Sequence, residues 1–272
     1  MDRKLLQYLV EYLVEEGKAH GCALPPAAAD AAQGGLASAS AEALWLAFRS
    51  LVNVRPPWPA PGEFLAAQDE LLQGLIAEAG VATLADATPS PTDPRLRLWR
   101  GDITTLAADA IVNAANSGMT GCWAPLHYCI DNAIHTFAGV QLRAACANLM
   151  AAQGHPEPTA QAKVTGGYNL PARYVIHTVG PIANGRPTDT HRRQLAECYR
   201  ACLDAAAKAG LSSIAFCCIS TGVFGFPQEE AASIAVATVC RWLNEHPDVP
   251  MTVVFNVFSA TDESLYRPLL GL

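Results

Sequence analysis

Three side chains of the kind that bind metals lie close together near the middle of the chain. Cys122, His127 and Cys129 form a C-x4-H-x-C cluster. Thiolate sulfur and imidazole nitrogen are ligands that suit zinc, and a cluster of three leaves one tetrahedral position open for water or substrate. Asp131 follows two residues after Cys129, so an acidic group accompanies the cluster. This combination is typical of a catalytic metal site rather than a structural one.

Spacing alone leaves a second explanation open. The chain has nine cysteines in 272 residues, so some of them fall close together by chance. Free cysteine also packs in protein interiors as a small hydrophobic residue. From the residues alone, zinc binding and simple packing are therefore both open.

Residues 220–227, which read S-T-G-V-F-G-F-P, form a second candidate site between a predicted strand and a predicted helix. The two glycines allow a tight backbone path, and successive amides in such a loop can form an anion-binding nest. The stretch has no lysine and is therefore not a Walker loop. An ordinary strand-to-helix turn is the alternative that this motif leaves open.

Three other polar residues have an ordinary structural explanation beside a functional one. Asp102, in the G-D-I-T run at 101–104, would by default cap the next helical turn. In a functional role it would accept a hydrogen bond from a ligand amine. His135 and His177 lie in a predicted helix and in an apolar strand, where we expect packed histidines rather than bases.

The apolar pattern predicts a framework in two parts. Residues 1–95 show helical spacing around 5–14, 44–52 and 64–76, with proline-rich connectors between and after the helices. We expect a helical extension rather than an independent domain, because three short helices make a thin core. From residue 96 onward strands alternate with helices, which predicts an α/β sheet covered by helices on both faces.

The second part contains the elements that would position the candidate residues. The strand at 213–220 is apolar throughout, which indicates a central position in the sheet. The predicted strands are 96–99, 110–113, 174–179, 213–220 and 252–258, and the predicted helices are 130–150, 191–209, 228–244 and 262–270.

Composition argues against several classes of function. The net charge is −7, so we expect no broad nucleic-acid surface. No apolar run approaches the roughly 20 residues of a membrane span, and the first residues do not resemble a signal peptide. The nine cysteines lack the regular spacing of a disulfide framework, which favours a reducing compartment. We therefore expect a cytoplasmic protein without a membrane or nucleic-acid partner.

Four motifs, taken together and in order, resemble those of the macrodomain family. They are G-D-I-T at 101–104, A-I-V-N-A-A-N at 110–116, V-I-H-T-V-G-P at 175–181, and the run at 219–227. The resemblance covers residues 96–272. It implies a three-layer α/β/α macrodomain with a mixed central sheet, preceded by the N-terminal helical extension, and it implies binding of ADP-ribose.

One departure from the family pattern is informative. Many macrodomain hydrolases have a glycine run after the Asn-Ala-Ala-Asn motif, whereas this chain has the segment from Cys122 to Cys129. This segment resembles the loop of the zinc-dependent microbial macrodomains, which also have an N-terminal helical extension. The resemblance therefore implies a Zn²⁺ cofactor held by Cys122, His127 and Cys129.

The resemblance also implies how ADP-ribose would be bound. Asp102 would accept a hydrogen bond from the adenine amino group beside the Ile103 amide, and Phe258 would stack on the adenine. The backbone amides that would hold the diphosphate belong to Ser220, Thr221, Gly222, Val223 and Phe224.

The distal ribose would lie beside the metal. Asn113 and Asn116 would reach this ribose, and Phe224 would border it. Asp131 has the position of the acidic residue that many macrodomain hydrolases use there, and it could orient a water or a ribose hydroxyl. By the resemblance, Asn116 and Asp131 are the catalytic residues.

The activity implied by this resemblance is zinc-dependent removal of single ADP-ribose units from aspartate or glutamate side chains of a modified protein. Some relatives are associated with an ADP-ribosylating sirtuin and a lipoylated carrier protein, so a modified carrier is the expected substrate. The point of water attack, at the anomeric carbon or the acyl carbonyl, stays open. The alternative function is a non-catalytic ADP-ribose reader with structural zinc. A zinc deaminase is not supported, because no P-C-x-x-C run occurs.

Overall fold

The structure, a computed structural model, describes residues 2–272. Within this range the chain opens with four helices, which are α1 Arg3–Ala19, α2 Pro26–Gln33, α3 Ala41–Val54 and α4 Gly62–Ala79. The first begins at Asp2, whose side chain accepts hydrogen bonds from two amides of the first turn. The sequence predicts three helices here. It misses α2, which is short, rich in alanine and without a periodic apolar face.

The four helices share an apolar cluster of their own. The apolar residues of α1 recur at helical spacing and are buried. They pack with Phe48 of α3 and Phe64 of α4. Val140, in the second part of the chain, also belongs to this cluster. The boundary at residue 95 stays a prediction, and the helices before it pack directly on helices that follow it.

The remaining chain alternates strands and helices around a larger core. Its strands are β1 Ala82–Thr83, β2 Thr88–Pro89, β3 Leu96–Arg100, β4 Leu106–Ala107, β5 Ala110–Ala115, β6 Ala162–Gly166, β7 Tyr174–Val179, β8 Ser213–Phe216 and β9 Thr252–Val257. Its helices are α5 Ile130–Ala138, α6 Val140–Gln153, α7 Asp189–Lys208, α8 Gln228–Glu245 and α9 Ala260–Leu269. Two short 3-10 helices lie at Leu84–Asp86 and Ile103–Thr105.

Seven strands of the described chain form one mixed sheet in the order β2-β3-β9-β8-β5-β7-β6. The five inner strands run parallel, and the two outer strands, β2 and β6, are antiparallel to their neighbours. β8 lies at the centre and is buried throughout, as its apolar sequence predicts. The predicted α/β fold with a mixed sheet and an N-terminal helical region is confirmed.

Several elements besides α2 differ from the sequence prediction. The two-residue strands β1, β2 and β4 are not predicted, and β8 ends at Phe216 rather than at residue 220. The helix expected over 130–150 is two helices, because Gly139 between them has a φ of +93° that a helix cannot contain. β6 is missed, since its sequence A-K-V-T-G is half-polar, as suits an outer strand with one exposed side. No helix within residues 2–272 has both the length and the hydropathy to cross a membrane.

Candidate functional site

The predicted site residues follow the carboxyl ends of neighbouring parallel strands. Asp102 follows β3, Asn116 follows β5, the loop at 220–224 follows β8, and Phe258 follows β9. In open α/β sheets, ligands bind in a crevice at this end of the strands. The topology therefore brings motifs that are far apart in sequence to one edge of the sheet.

The segment 122–129, which we call the metal loop, connects β5 with α5. The Sγ of Cys122 lies 3.5 Å from Nδ1 of His127. Together with the Sγ of Cys129, these atoms lie within 4.8 Å of one another, and all three side chains are half-buried. The donor set and its spacing fit a zinc ion.

Cys129 also begins α5, because its Sγ accepts a hydrogen bond from the Asn132 amide at 3.4 Å. Burial and the neighbouring charges of Cys122 and Asp131 raise the pKa of the Cys129 thiol to about 12. A cation beside the sulfur is what would favour the thiolate at neutral pH. The helix N-terminus thus holds a potential metal ligand in place.

A carboxylate held by two amides lies next to this loop. Nδ2 of Asn113 donates to Oδ1 of Asp131 at 2.8 Å, and Nδ2 of Asn116 donates to Oδ2 at 3.2 Å. Burial raises the pKa of Asp131 to about 6, although both hydrogen bonds and the charge of Arg143 oppose that shift. Asp131 is only 5% exposed, and Asn113 lies wholly beneath the surface. Asn116 is half-buried and is therefore the member of this network nearest to solvent.

The backbone between β5 and the metal loop is arranged around this network. Nδ2 of Asn116 also donates to the Gly121 carbonyl at 3.0 Å. Gly121 has a φ of +83°, and a Cβ at this position would lie 2.8 Å from the His135 ring. Only glycine fits both the left-handed backbone and the contact with the ring.

His135, Cys146 and His177 form a second, fully buried group with metal-binding side chains. Both nitrogens of His177 have partners, since Nδ1 lies 3.1 Å from Nδ2 of Asn113 and Nε2 lies 2.9 Å from Oγ1 of Thr165. Burial lowers the pKa of His177 to about 3 and that of His135 well below 6.5, so both rings are neutral. His135 lines one side of a cavity of about 10 Å³. This volume has room for at most one water. His177 is therefore a packed histidine, as expected from the sequence. The buried ring of His135 has no hydrogen-bond partner among the described residues, and its Nε2 lies 3.6 Å from Oδ1 of Asp131.

The loop after β8 turns sharply at Ser220, whose φ is +66°. The Phe226 amide donates back to the Ser220 carbonyl at 2.9 Å, which closes the loop. The amides of Gly222, Val223 and Phe224 donate to no acceptor within residues 2–272. Free successive amides are the feature that an anion nest requires.

At the opposite end of the crevice, Asp102 caps the 3-10 helix at Ile103–Thr105. Its Oδ1 accepts from the amide and hydroxyl of Thr104 at 2.9 and 2.7 Å. Its Oδ2 makes no hydrogen bond to any residue that the structure describes. Asp102 therefore caps the helical turn through Oδ1, and its Oδ2 stays available to a ligand. The Ile103 side chain is buried in the core, and the Phe258 ring is 61% exposed.

Arg143 of α6 is a site residue that the sequence analysis missed. Its buried guanidinium donates from Nε to the Thr120 carbonyl at 2.7 Å and lies over the Trp123 ring, with Cζ 4.3 Å from the ring centroid. Burial lowers the pKa of Arg143 to about 10, and the charge of Asp131 opposes that shift. Arg143 therefore keeps a positive charge beside the metal loop. No spacing signal marks it, because arginines on amphipathic helices are usually exposed.

The sequence and the fold of this chain are similar to those of known proteins. The family model described as Macro domain matches residues 112–235. A relative from Treponema medium named "Protein-ADP-ribose hydrolase" is 52% identical over 267 residues, which are 97% of this chain and 97% of the relative. A relative of the same name from Staphylococcus aureus is 51% identical over 229 residues, which are 84% of this chain and 85% of the relative.

Among solved structures, the Trypanosoma brucei macrodomain in complex with ADP-ribose superimposes with a TM-score of 0.63. It is 32% identical, and the match covers 82% of this chain and 95% of that one. The close relatives, the family model and the shared fold agree with the order of motifs in the sequence. The chain belongs to the macrodomain family.

Proposed function

We propose that this chain is a zinc-dependent protein-ADP-ribose hydrolase that removes single ADP-ribose units from acidic side chains of a modified protein. The observation that carries the proposal is the metal loop with its three donors beside the carboxylate of Asp131, at the ligand-binding end of the sheet. The names of the relatives at about half identity support the activity. The loop chemistry supports zinc, and the resemblance supports the acidic linkage.

The chain's own residues would bind ADP-ribose along the crevice. Oδ2 of Asp102 would accept from the adenine amine, and Phe258 would stack on the adenine ring. The free amides of Gly222, Val223 and Phe224 would hold the diphosphate, since backbone donors bind phosphate without a lysine. This proposed arrangement would direct the distal ribose toward Asn116 and the metal loop.

Near the distal ribose, Asn116 would contact a ribose hydroxyl or the reacting water. Asp131 would orient Asn116 through their hydrogen bond, and Asn113 would hold Asp131 from beneath. Because Asn113 is wholly buried, we propose a positioning role for it rather than the ribose contact expected from the resemblance. Zinc bound to the metal loop would supply a Lewis acid that polarises an oxygen or lowers the pKa of water to about 7.

The proposed protein partner follows from the resemblance. A lipoylated carrier protein modified by a sirtuin is the substrate to try first, beside a generic glutamate-linked substrate. Hydrolysis in H₂¹⁸O distinguishes the two points of attack. Label in the protein carboxylate identifies attack at the acyl carbonyl, and an unlabelled carboxylate identifies attack at the anomeric carbon.

The test of the function is release of ADP-ribose from a mono-ADP-ribosylated protein in a single turnover. Cys129→Ala should lose zinc and hydrolysis while keeping most of its affinity for free ADP-ribose, because Asp102 and the loop at 220–224 lie outside the metal cluster. Asp131→Ala should keep zinc and slow turnover. Cys22→Ala is the matched control, since Cys22 is exposed and lies in the N-terminal helical part of the chain.

Two results would contradict the proposal. Normal hydrolysis by zinc-free Cys129→Ala would make the metal structural or incidental. A zinc-loaded wild-type protein that binds ADP-ribose but cleaves no ADP-ribosylated protein would instead be a reader, which is the alternative function.

A further inference from the structure

The C-terminal half of α3 contacts the metal loop through a buried asparagine. Asn53 is 1% exposed, and its Oδ1 accepts a hydrogen bond from the Leu126 amide at 3.0 Å. Its Nδ2 donates to Oγ1 of Thr136 in α5 at 3.0 Å. One side chain of the N-terminal helices therefore joins the metal loop to the helix that follows it.

The contact falls at a strained point of the loop. Leu126 has a φ of +57°, in the left-handed region that residues with a Cβ rarely adopt. Such a conformation persists when surrounding contacts hold it in place. Leu126 immediately precedes His127, so the Asn53 hydrogen bond acts next to a candidate metal ligand.

Arg143 makes a second connection between the same helix and the loop. Its Nη1 donates to the carbonyls of Val52 and Arg55, at 2.9 and 2.7 Å. These carbonyls lie at the C-terminus of α3, where backbone acceptors have no partner within the helix. The same guanidinium contacts Thr120 and Trp123, as described above, and so reaches the beginning of the metal loop.

A third connection runs through Asn132. Nη2 of Arg49 lies 3.4 Å from Oδ1 of Asn132, whose Nδ2 donates to the Ala124 carbonyl at 3.2 Å. Arg49 and Asn53 are four residues apart and therefore lie on one face of α3. Residues 123, 124 and 126 of the metal loop are thus all connected to the C-terminal half of α3.

We propose that the C-terminal half of α3 is a positioning element for the metal loop, with Asn53 as its main positioning residue. The N-terminal helices are then part of the site rather than an appendage to it. The expected loss of zinc affinity rests on the proposed zinc-dependent function. The expected loss of order in the metal loop does not.

The test uses the full chain and two readouts. Asn53→Leu keeps the branched shape of the side chain and removes both hydrogen bonds of Asn53, including the acceptor for the Leu126 amide. Thr136→Val is the matched control, because it keeps the acceptor for the Leu126 amide. It removes the other hydrogen bond of Asn53 and the 3.5 Å hydrogen bond from Oγ1 of Thr136 to Oδ1 of Asn132. Hydrogen exchange of the Leu126 amide reports on the loop, and release of zinc to a chromogenic chelator reports on the site. Exchange of the β5 amides reports whether the fold is intact.

We expect the Leu126 amide to exchange at least about tenfold faster in Asn53→Leu than in Thr136→Val, with unchanged β5 amides. We expect zinc affinity to fall by about 10- to 100-fold, as for other residues that orient metal ligands. Asn53→Asp keeps an acceptor at the same place and should restore slow exchange. Should Asn53→Leu not fold, Asn53→Ala makes the same comparison without filling the space.

Equal exchange of the Leu126 amide in Asn53→Leu (or its substitute Asn53→Ala) and in Thr136→Val would overturn the proposal. The outcomes also separate the two proposals. If the wild-type protein binds no zinc, the metal function fails, and the amide exchange still decides whether Asn53 orders the loop. If zinc and hydrolysis are present but Asn53→Leu affects neither exchange nor zinc release, only the positioning role fails.

Discussion

The ring of Tyr128, in the metal loop, meets the ring of Phe258 edge to face, with centroids 6.1 Å apart and planes inclined by 67°. Both rings are among the most exposed aromatic side chains, at 82% and 61%. Phe258 follows β9 at the proposed adenine end of the crevice, and Tyr128 lies between two candidate metal ligands. The two ends of the proposed site therefore touch through these rings.

Phe258→Ala should weaken ADP-ribose binding by roughly 5- to 150-fold, because stacking on an aromatic ring is worth about 1–3 kcal/mol per base. Calorimetric titration with ADP-ribose measures the change. Tyr8→Ala is the control, since Tyr8 is a partly exposed tyrosine of α1. Unchanged affinity in Phe258→Ala would mean that the adenine lies elsewhere.

Asp102→Ala should weaken ADP-ribose by roughly 10- to 100-fold, because a hydrogen bond to a charged group contributes on the order of 1.5–3 kcal/mol. It should also lose some stability, since Asp102 caps a 3-10 helix. Asp86→Ala is a matched control. The Asp86 carboxylate accepts from Thr83 in a comparable cap, so this variant loses a cap without losing a ligand contact. Equal affinity in both variants would leave Asp102 with its capping role alone.

Gly121→Ala should lower the free energy of unfolding by about 1–3 kcal/mol, because its backbone is left-handed and the new Cβ would press on His135. Gly222→Ala, in the other site loop, should change stability by less than about 0.5 kcal/mol, since no atom lies within 4 Å of its Cβ position. Urea unfolding followed by circular dichroism compares the two. Similar free energies of unfolding for the two variants would show that the backbone at Gly121 shifts to make room for the added Cβ.

Asp109→Asn should destabilise the protein by about 1–2 kcal/mol at neutral pH. Burial alone would raise the pKa of Asp109, but hydrogen bonds from Ser212, Arg173 and Ser213 outweigh it and lower the pKa to about 2. A carboxyl whose pKa is lowered on folding stabilises the protein above its ordinary pKa of 3.8, and this contribution disappears as the pH falls toward 2.

The measurement for Asp109 is therefore a pair of stability curves against pH. The difference between wild type and Asp109→Asn should be constant above about pH 5 and should shrink between pH 4 and pH 2. Asp109 lies at the amino ends of β5, β7 and β8, away from the site, so ADP-ribose affinity should not change. A stability difference between wild type and Asp109→Asn that stays the same down to pH 2 would contradict the stabilising role of the Asp109 carboxylate.

Much of the fold is predictable because apolar periodicity reports burial directly. The buried strand β8 and the amphipathic helix α1 are both visible in this way. The break at Gly139 is not, since a glycine within a helical pattern is often tolerated and only the backbone angle identifies it as a boundary. β6 escapes prediction because an outer strand with one exposed side has little apolar signal.

Some residues of the candidate site are likewise predictable from the sequence, and others are not. The candidate donors of the metal loop are visible in the sequence because two cysteines and a histidine lie at short spacing, although spacing alone leaves zinc binding and packing both open. Asn53 and Arg143 cannot be found in this way, because their contacts join residues 73 and 91 positions apart, and no local pattern encodes such a pair. The depth of Asn113 is likewise a property of the packed network rather than of its motif.

The two outer strands of the sheet also bear on association between molecules. β2 has only two residues, and one of them is Pro89, which has no amide hydrogen to donate. β6 carries Lys163, whose ammonium pairs with the buried carboxylate of Glu157 at 3.2 Å. Short strands, proline and lysine at sheet edges oppose the addition of a foreign strand. At high concentration the protein should therefore resist aggregation by strand pairing at either end of its sheet.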